Sequence, residues 1–146
     1  MGVFDSFSIS ASGLTAEKLR LDITANNIAN MNSAGRPNDP ANPPYSRKVP
    51  IFAQMLEQAG GSGVLRFRYK GAGVHVTKIV EDQNEPRMVY EPTHPYADEK
   101  GYVAYPNINI VNEMVNMISA TRAYEANVTA LNAAKDIALK ALEIGR

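Results

Sequence analysis

The sequence predicts an α+β fold in which long N- and C-terminal helices pack as a coiled-coil-like pair, with a small β-rich domain inserted between them. Apolar residues recur at helical spacing at both ends of the 146-residue chain. Between these ends, short runs rich in valine and aromatic residues are separated by turn residues, which is typical of strands. The predicted division is 1–33 for the N-terminal helix, 34–106 for the loop and β-rich domain, and 107–146 for the C-terminal helix.

The N-terminal helix is predicted from Phe4 to Met31. Asp5 or Ser6 provides an N-cap, and residues 30–37, rich in Asn, Gly and Pro, end the helix. Large apolar residues fall seven apart along it, as in the seam of a coiled coil. These residues are Phe7, Leu14, Leu21 and Ile28.

Asn26, Asn27 and Asn30 lie inside this helix, although asparagine is a poor helix former because its amide competes for backbone hydrogen bonds. Two interpretations are open. In the first, the asparagines mark a fraying C-terminus, where this residue is common. In the second, their amides hydrogen-bond neighbouring helices and fix the register, as a buried polar residue does in a coiled coil.

The middle of the chain is predicted to be a loop followed by five strands. The loop, Met31 to Tyr45, is rich in Asn, Pro and Gly, and its length indicates a mobile or binding segment. The glycine clusters at 60–63 and 71–73 are interpreted as turns between strands. The predicted strands are Tyr45–Met55, Val64–Lys70, Val74–Val80, Arg87–Tyr90 and Tyr102–Tyr105.

The C-terminal helix is predicted from Asn109 to Ile144, a stretch without glycine or proline. At 1.5 Å per residue this helix is about 54 Å long, whereas a compact globule of this size has a radius of gyration of about 15 Å. A helix this long is expected to find a partner or to lie in an extended bundle. One apolar stripe follows it, formed by Ile110, Met114, Met117, Thr121, Tyr124, Val128, Leu131, Ala138 and Leu142.

The composition argues against several classes of function. Fifteen basic residues balance fifteen acidic ones, whereas a nucleic-acid binder normally carries a basic excess. A net charge near zero also favours self-association. The chain has no cysteine, which excludes disulfides, thiol catalysis and thiolate metal sites. No window approaches the roughly 20 apolar residues of a membrane span, and the first residues do not form a secretory signal, so a role outside the cytoplasm requires another export route.

No catalytic, cofactor-binding or metal-binding constellation is predicted. Residues 66–70 alternate basic and aromatic side chains, and the neutral net charge favours an amphipathic strand over a nucleic-acid stacking face. His75 and His94 lack further ligands at zinc-site spacing. The acidic residues at 81, 82 and 85 lack calcium-loop spacing and are interpreted as a solvated turn. We therefore expect no enzymatic activity and no cofactor.

Motifs at both ends resemble those of bacterial flagellar basal-body rod and hook proteins. The N-terminal motif combines Ser12-Gly13-Leu14 with Ala25-Asn26-Asn27-Ile28-Ala29-Asn30. The C-terminal motif combines residues 106–115 with Arg122-Ala123-Tyr124-Glu125-Ala126-Asn127. Within this family the chain is most similar to the small proximal-rod proteins, because it is short and contains Tyr45-Ser46-Arg47-Lys48 and the segment 86–103. The segment 36–44 departs from the family pattern because it looks longer than usual.

The resemblance implies a structural subunit of the proximal rod, which assembles helically into the drive shaft that transmits torque for motility. It implies a location in the periplasm-spanning rod of the basal body and export without a cleaved signal peptide. The implied partners are other flagellar rod proteins, the rod-base adaptor, the membrane ring and the flagellar export apparatus, with no nucleic acid and no direct membrane insertion.

Together with the apolar stripes, the resemblance predicts an assembly interface on the terminal helices. The predicted residues are Leu14, Leu21, Asn26, Asn27, Ile28, Asn30, Met114, Met117, Tyr124, Val128, Leu131 and Leu142. Two other interpretations are open: another axial subunit of the rod and hook family, or a free coiled-coil binding module with a β recognition domain.

Overall fold

The computed structural model describes residues 3–59 and 68–144, with side chains described for 5–56 and 71–144. Its two helices flank the strands in the chain, which confirms the predicted α+β class. The helix ends lie within two residues of the predicted ones. The elements are α1 (Val3–Ala29), β1 (Lys48–Ala59), β2 (Arg68–Glu81), β3 (Arg87–Tyr90), β4 (Tyr102–Tyr105) and α2 (Ile110–Ile144).

The strands pair as two separate two-stranded sheets, β1 with β2 and β3 with β4. The bounds of β3 and β4 are the predicted ones. The predicted strand Val74–Val80 is part of the longer β2, which also includes the end of the predicted strand Val64–Lys70. The predicted turn at 60–63 and the start of that strand lie outside the described residues.

The predicted turn at 71–73 is wrong, because these residues continue β2. Gly73 has φ +114°, a conformation that glycine adopts readily because it has no side chain. A β-carbon at Gly73 would overlap the hydroxyl oxygen of Ser12. That oxygen also accepts a hydrogen bond from the Val74 N–H at 3.1 Å. The glycine therefore marks a close approach of β2 to α1, not the end of a strand.

The described residues group into two compact units. The first unit takes its residues from Met1–Leu19, Ile51–Lys78 and Ser119–Arg146, and the second from Arg20–Pro50 and Ile79–Ile118. Each unit therefore combines helical and strand segments that are distant in sequence. The division of the chain at 33/34 and 106/107 stays a prediction.

In the first unit, α1 and α2 meet at Gly13 and Asn127. A β-carbon at Gly13 would lie 2.9 Å from Asn127 Oδ1, so the Asn127 amide occupies the space that a side chain on α1 would need. Ser10 and Ala16, which flank Gly13 on the same side of α1, are buried, and so is Ala120 of α2. Small residues at these positions allow the two helices to pack closely.

In the second unit, β3 and β4 form an antiparallel pair in the register Arg87↔Tyr105 to Tyr90↔Tyr102. Gly35, from the loop after α1, forms a bridge to the buried Ala104 of β4, with N···O distances of 2.9 and 3.1 Å. A β-carbon at Gly35 would overlap backbone atoms of residues 43 and 44. Because glycine has no side chain, the start of the Pro-rich loop can lie against β4 on one side and against the end of the same loop, at residues 43 and 44, on the other.

Candidate functional site

A buried group of polar side chains lies in the second unit and is centred on Asn27, in the last turn of α1. This side chain is only 1% exposed. Its amide nitrogen donates to the Lys48 carbonyl oxygen at 2.9 Å and to Glu113 Oε2 at 3.1 Å. Its oxygen accepts from the Tyr45 hydroxyl at 3.0 Å and from the Lys48 N–H at 2.9 Å. A carboxamide has two donor hydrogens and two acceptor lone pairs, so Asn27 uses its full hydrogen-bonding capacity.

Glu113, near the start of α2, is equally buried at 1% exposure. Its Oε1 accepts from Arg47 Nε at 2.9 Å and from Arg47 Nη2 at 2.7 Å, while Oε2 accepts from Asn27. Arg47 Nη1 also lies 3.5 Å from Asp82 Oδ2. Burying a carboxylate is expensive unless a cation and hydrogen bonds offset the lost hydration. The guanidinium and the amide provide both here.

We call Asn27, Tyr45, Arg47, Lys48 and Glu113 the polar lock. Three chain segments supply it: the end of α1, the segment leading into β1, and the first turns of α2. Each segment belongs to a motif that carried the sequence resemblance. In the polar lock those motifs contact one another, and their hydrogen bonds fix α1 and α2 in one register within the second unit.

The start of α2 is capped so that Glu113 is held in place. Asn109 Oδ1 accepts from the Val111 N–H at 2.9 Å and from the Asn112 N–H at 3.3 Å. An asparagine before the first helical residue satisfies backbone donors that have no partner inside the helix. The Glu113 N–H then donates to the Asn109 carbonyl at 3.0 Å, which starts the helical ladder.

The electrostatics of the polar lock follow from burial and neighbouring charge. Burial, followed by the negative charges of Glu81 and Glu113, raises the pKa of the Tyr45 hydroxyl above its ordinary value of 10.0. Tyr45 is therefore held as a neutral donor to Asn27. The Asn84 N–H, and to a smaller extent Arg47, lower the pKa of Asp82 below its ordinary value. Asp82 thus stays ionised beside Arg47.

The remaining terminal motifs meet in the first unit. Gly13 belongs to the N-terminal motif and Asn127 to the C-terminal one, and they lie in contact. The Asn127 amide also donates to the Ala123 carbonyl of its own helix at 2.9 Å, which fixes its orientation. Glycine is the residue at position 13 that leaves room for this amide.

The outward side of the first turns of α2 is apolar. Four residues at helical spacing i, i+3, i+4 and i+7 are each between 52% and 63% exposed. They form what we call the outer patch: Val111, Met114, Val115 and Ile118. Contiguous apolar surface of this kind is typical of an interaction site. Glu113 lies on the opposite side of the same turns.

The predicted interface residues fall into three groups by exposure. Asn27 is buried by its own chain. Leu14, Leu21, Ile28, Asn30, Met117, Val128 and Leu131 are half-buried. Asn26, Met114, Tyr124 and Leu142 are exposed. Their role in assembly stays a prediction.

Sequence reasoning missed Glu113 and Arg47 as structural residues. Both stand inside motifs that supported the resemblance, but charged side chains are rarely fully buried. Their pairing depends on a contact between residues 66 positions apart, which no local pattern reveals.

Other residues considered as chemical candidates show no clustering. His75 is exposed, and His94 Nδ1 accepts from the Tyr96 N–H at 3.1 Å. Among the residues whose side chains are described, no three His, Cys, Asp or Glu residues are placed to hold a metal ion. Residues 66 and 67 lie outside the described residues. Neither described helix contains a stretch long and apolar enough to cross a membrane.

Comparison with known proteins finds matches at both ends and over the full length. Residues 7–35 match the family "Flagella basal body rod protein", and residues 99–144 match "Flagellar basal body rod FlgEFG protein C-terminal". The chain is 43% identical to the flagellar basal-body rod protein FlgC of Bacillus subtilis, with 100% of both chains covered. It is 41% identical to FlgC of Borreliella burgdorferi, covering 99% of this chain and 98% of the relative. It is 39% identical to FlgC of Escherichia coli O6:H1, with 100% of both covered.

Proposed function

The chain belongs to the family of flagellar basal-body rod proteins of the FlgC type and is a structural subunit of that rod, and we propose that its outer patch joins it to neighbouring subunits. The family membership rests on full-length identities of 34–43%. The patch is the observation that carries the proposal, because more than half of each of its four side chains is exposed. Burying apolar surface is the main favourable term in protein association.

Two features of the second unit support the outer patch as the surface that contacts neighbouring subunits. On the inward side of the same helical turns, the Glu113 carboxylate already has its hydrogen-bond partners within the polar lock. Glu113, on the inward side, is the one charged residue in the sequence from Val111 to Ile118, so the outward side contains none. Interface cores are depleted in charge and enriched in residues such as methionine. The outer patch has this composition.

We further propose that the subunit occupies the proximal rod and transmits torque as part of the drive shaft. Its length and full coverage match those of its FlgC relatives. A load-bearing subunit must keep one conformation, and directional hydrogen bonds between buried groups specify one arrangement more strictly than apolar contacts do. The polar lock supplies such bonds between α1 and α2.

We also propose the partners, the export route and the division of the chain. The partners would be other rod proteins, the rod-base adaptor and the membrane ring, with export through the flagellar apparatus without a cleaved signal peptide. The role would be non-enzymatic, with residues 1–33 and 107–146 forming the axial core and residues 34–106 the middle domain. These proposals rest on the resemblance to the family.

The test introduces a charge into the outer patch. We expect Val115→Asp to fold normally, because the side chain is 60% exposed, yet to abolish swimming and to be missing from isolated basal bodies. Thr129→Asp is the matched control, since Thr129 is also β-branched and exposed and lies two heptads further along the same side of α2. Cells with this control should swim. Normal motility of the Val115→Asp strain would refute the proposed role of the patch.

A further inference from the structure

A groove of about 280 Å³ lies in the second unit, between the end of α1, the start of β3 and the segment that joins β4 to α2. Met31, Ile108 and Ile110 give it an apolar side, and Arg87 places a guanidinium in its wall. Its volume is close to the lower limit of about 300 Å³ for small-molecule sites. The groove therefore has room for a few side-chain groups but not for a large ligand.

Arg87 is exposed, and an aromatic ring positions it. Its guanidinium carbon lies over the Tyr105 ring, 5.8 Å from the centroid, and the Tyr105 hydroxyl donates to Glu91 Oε2 at 3.1 Å. Among the residues whose side chains are described, no carboxylate forms an ion pair with Arg87. A ring meets the face of a guanidinium, whereas its five N–H donors lie in the plane of the group. These donors are therefore available to a carboxylate.

Two asparagine side chains add further donors to the same groove. Asn32 and Asn107 are both exposed and both line it. No hydrogen bond joins either amide to another part of the chain that the structure describes. Each amide offers two N–H donors, so the groove combines a cation and neutral donors with an apolar side. This combination suits a carboxylate carried on an apolar stem, whereas a small inorganic anion would leave the apolar side uncovered.

The two ends of the chain cannot fill this groove. Residues 1 and 2 precede the 27 residues of α1, which are about 40 Å long, and Met31 follows the other end of that helix. Residues 145 and 146 follow the 35 residues of α2, which are about 52 Å long, and Ile110 is the first residue of that helix. Each end of the chain is therefore a whole helix away from the groove.

The connection between β1 and β2 is too distant as well. Residues 57–70 begin nine positions after Lys48 along β1, which corresponds to about 30 Å of strand. Lys48 itself donates its N–H to Asn27, which lies four positions before Met31. The group that enters the groove must therefore come from another molecule.

We propose that a carboxylate side chain of a neighbouring rod subunit enters this groove and pairs with the Arg87 guanidinium. Asn32 and Asn107 donate to the same carboxylate, and the methylene groups that carry it pack against Ile108. Arginine and carboxylate form two parallel hydrogen bonds, which adds geometric specificity to the attraction of their charges. The inference rests on the proposed function, because it gives the chemistry of the partner surface within the rod.

The position of the groove beside the outer patch supports a protein partner. Ile110, which lines the groove and is 40% exposed, directly precedes Val111 of the outer patch. A subunit that covers the patch therefore reaches the groove as well. Arginine is enriched both at interfaces and among the residues that contribute most of their binding energy. In this arrangement the apolar patch supplies buried area, and Arg87 fixes which acidic residue of the partner lies beside it.

Carbodiimide coupling tests the pairing directly when Arg87→Lys supplies an amine. The substitution keeps the positive charge, and the reagent joins the amine to a carboxylate in contact with it, forming an amide while the reagent takes up the water as a urea. Basal bodies isolated from cells with this full-length variant would be treated at neutral pH. We expect a crosslink from position 87 to an aspartate or glutamate of a neighbouring subunit, detected by electrophoresis and located by peptide mass spectrometry. Wild-type basal bodies should lack it, because a guanidinium stays protonated and does not form the amide.

Arg122→Lys is the matched control, because Arg122 is exposed on α2 and lies outside the groove. It should give at least tenfold less crosslink to another subunit. The inference is refuted, while the rod assignment stands, if the Arg87→Lys variant is present in basal bodies but forms no crosslink, couples only to Glu91 of its own chain, or couples no more than the control. If the wild-type chain is missing from basal bodies, the rod assignment itself fails.

Asn107→Asp provides a second, independent measurement. It keeps the shape of the side chain but places a carboxylate in the groove, which pairs with Arg87 and repels the entering carboxylate, since like charges at an interface suppress association. We expect the fraction of swimming cells to fall at least tenfold, while the purified variant unfolds at the same temperature as the wild type. Asn132→Asp is the control, because Asn132 is exposed on α2 outside the groove, and its cells should swim. Equal swimming of the Asn107→Asp strain and wild type would count against the pairing.

Discussion

The two sides of the first turns of α2 differ in a way that inverts the usual distribution of side chains. On the inward side, Glu113 is 1% exposed. On the outward side, Val111, Val115 and Ile118 are about 60% exposed. Charged residues are almost never fully buried unless paired, and exposed apolar clusters usually mark interfaces. The comparison therefore separates two tasks: the inward side fixes the conformation of the subunit, and the proposed function assigns association to the outward side.

The difference also shows why the two tasks use different chemistry. Hydrogen bonds are directional, so the polar lock specifies which turn of α1 lies beside which turn of α2. Apolar contacts are not directional and scale with buried area, so the outer patch can contribute to association without constraining the fold of the free chain. Mutations on the two sides should then have opposite consequences for stability and assembly.

The largest loss of stability is expected for Glu113→Ala. It leaves one Asn27 donor without its partner and the Arg47 guanidinium with only its longer contact to Asp82 at 3.5 Å. Breaking a buried ion pair from one side costs about 3 kcal/mol. Chemical denaturation followed by circular dichroism measures the loss, with the exposed Glu125→Ala as control. A loss below that of the control would mean that the buried carboxylate does not stabilise the fold.

Asn27→Ala should cost less, about 2 kcal/mol, because the ion pair between Arg47 and Glu113 stays in place when the Asn27 hydrogen bonds are lost. Its matched control is Asn26→Ala, since the exposed Asn26 amide donates only to the Asp22 carbonyl of its own helix at 2.9 Å among its described contacts. The same denaturation series compares them. Equal losses for the two variants would contradict the central place of Asn27 in the polar lock.

Ionisation of Tyr45 should have a smaller effect, with a defined sign. Because the folded-state pKa is raised above 10.0, the stability contributed by the neutral hydroxyl is fully present below pH 10. It is lost as the pH rises through the raised pKa, since the phenolate cannot donate to Asn27. The wild type should therefore be more stable than Tyr45→Phe at pH 8, and the difference should shrink above pH 10. A difference that grows with pH would show the opposite linkage.

The smallest effect on stability is expected on the outward side. Val115→Asp should change the free energy of unfolding by less than about 1 kcal/mol, which reflects the lower helix propensity of aspartate and no lost core contact. Thermal denaturation of the purified variant measures this. A large destabilisation would mean that the outer patch supports the fold of the single subunit, and the comparison between the two sides would fail.

The helices were predictable from sequence, whereas the buried side of α1 was not. Leu14 and Leu21 form a regular apolar seam, but they are only half-buried. The buried residues of that helix include Ser10, Ala16, Ile23 and Thr24, and of these four only Ile23 is large and apolar. A search for large apolar residues finds a coiled-coil seam, yet helices that approach closely need small residues in contact.

The asparagines of α1 also show that the sequence does not reveal which side of this helix is buried. Asn27 bonds to Glu113 on the other helix, in line with the second interpretation. The side chains of Asn26 and Asn30 instead donate to backbone carbonyls one turn earlier in α1. Identical residue types in one turn therefore have different roles, and the choice depends on which side of the helix meets Glu113. The contact that decides it spans 86 positions of sequence.

The complete use of the Asn27 amide has a consequence for chemical ageing. Hydrolysis of this amide to a carboxylate would replace two donors with acceptors and would set a second negative charge beside Glu113. The position therefore tolerates neither a shape-matched apolar residue nor its own deamidation product. Deamidation of Asn27 would therefore disrupt the polar lock, and at 1% exposure this side chain is shielded from the water that the reaction needs.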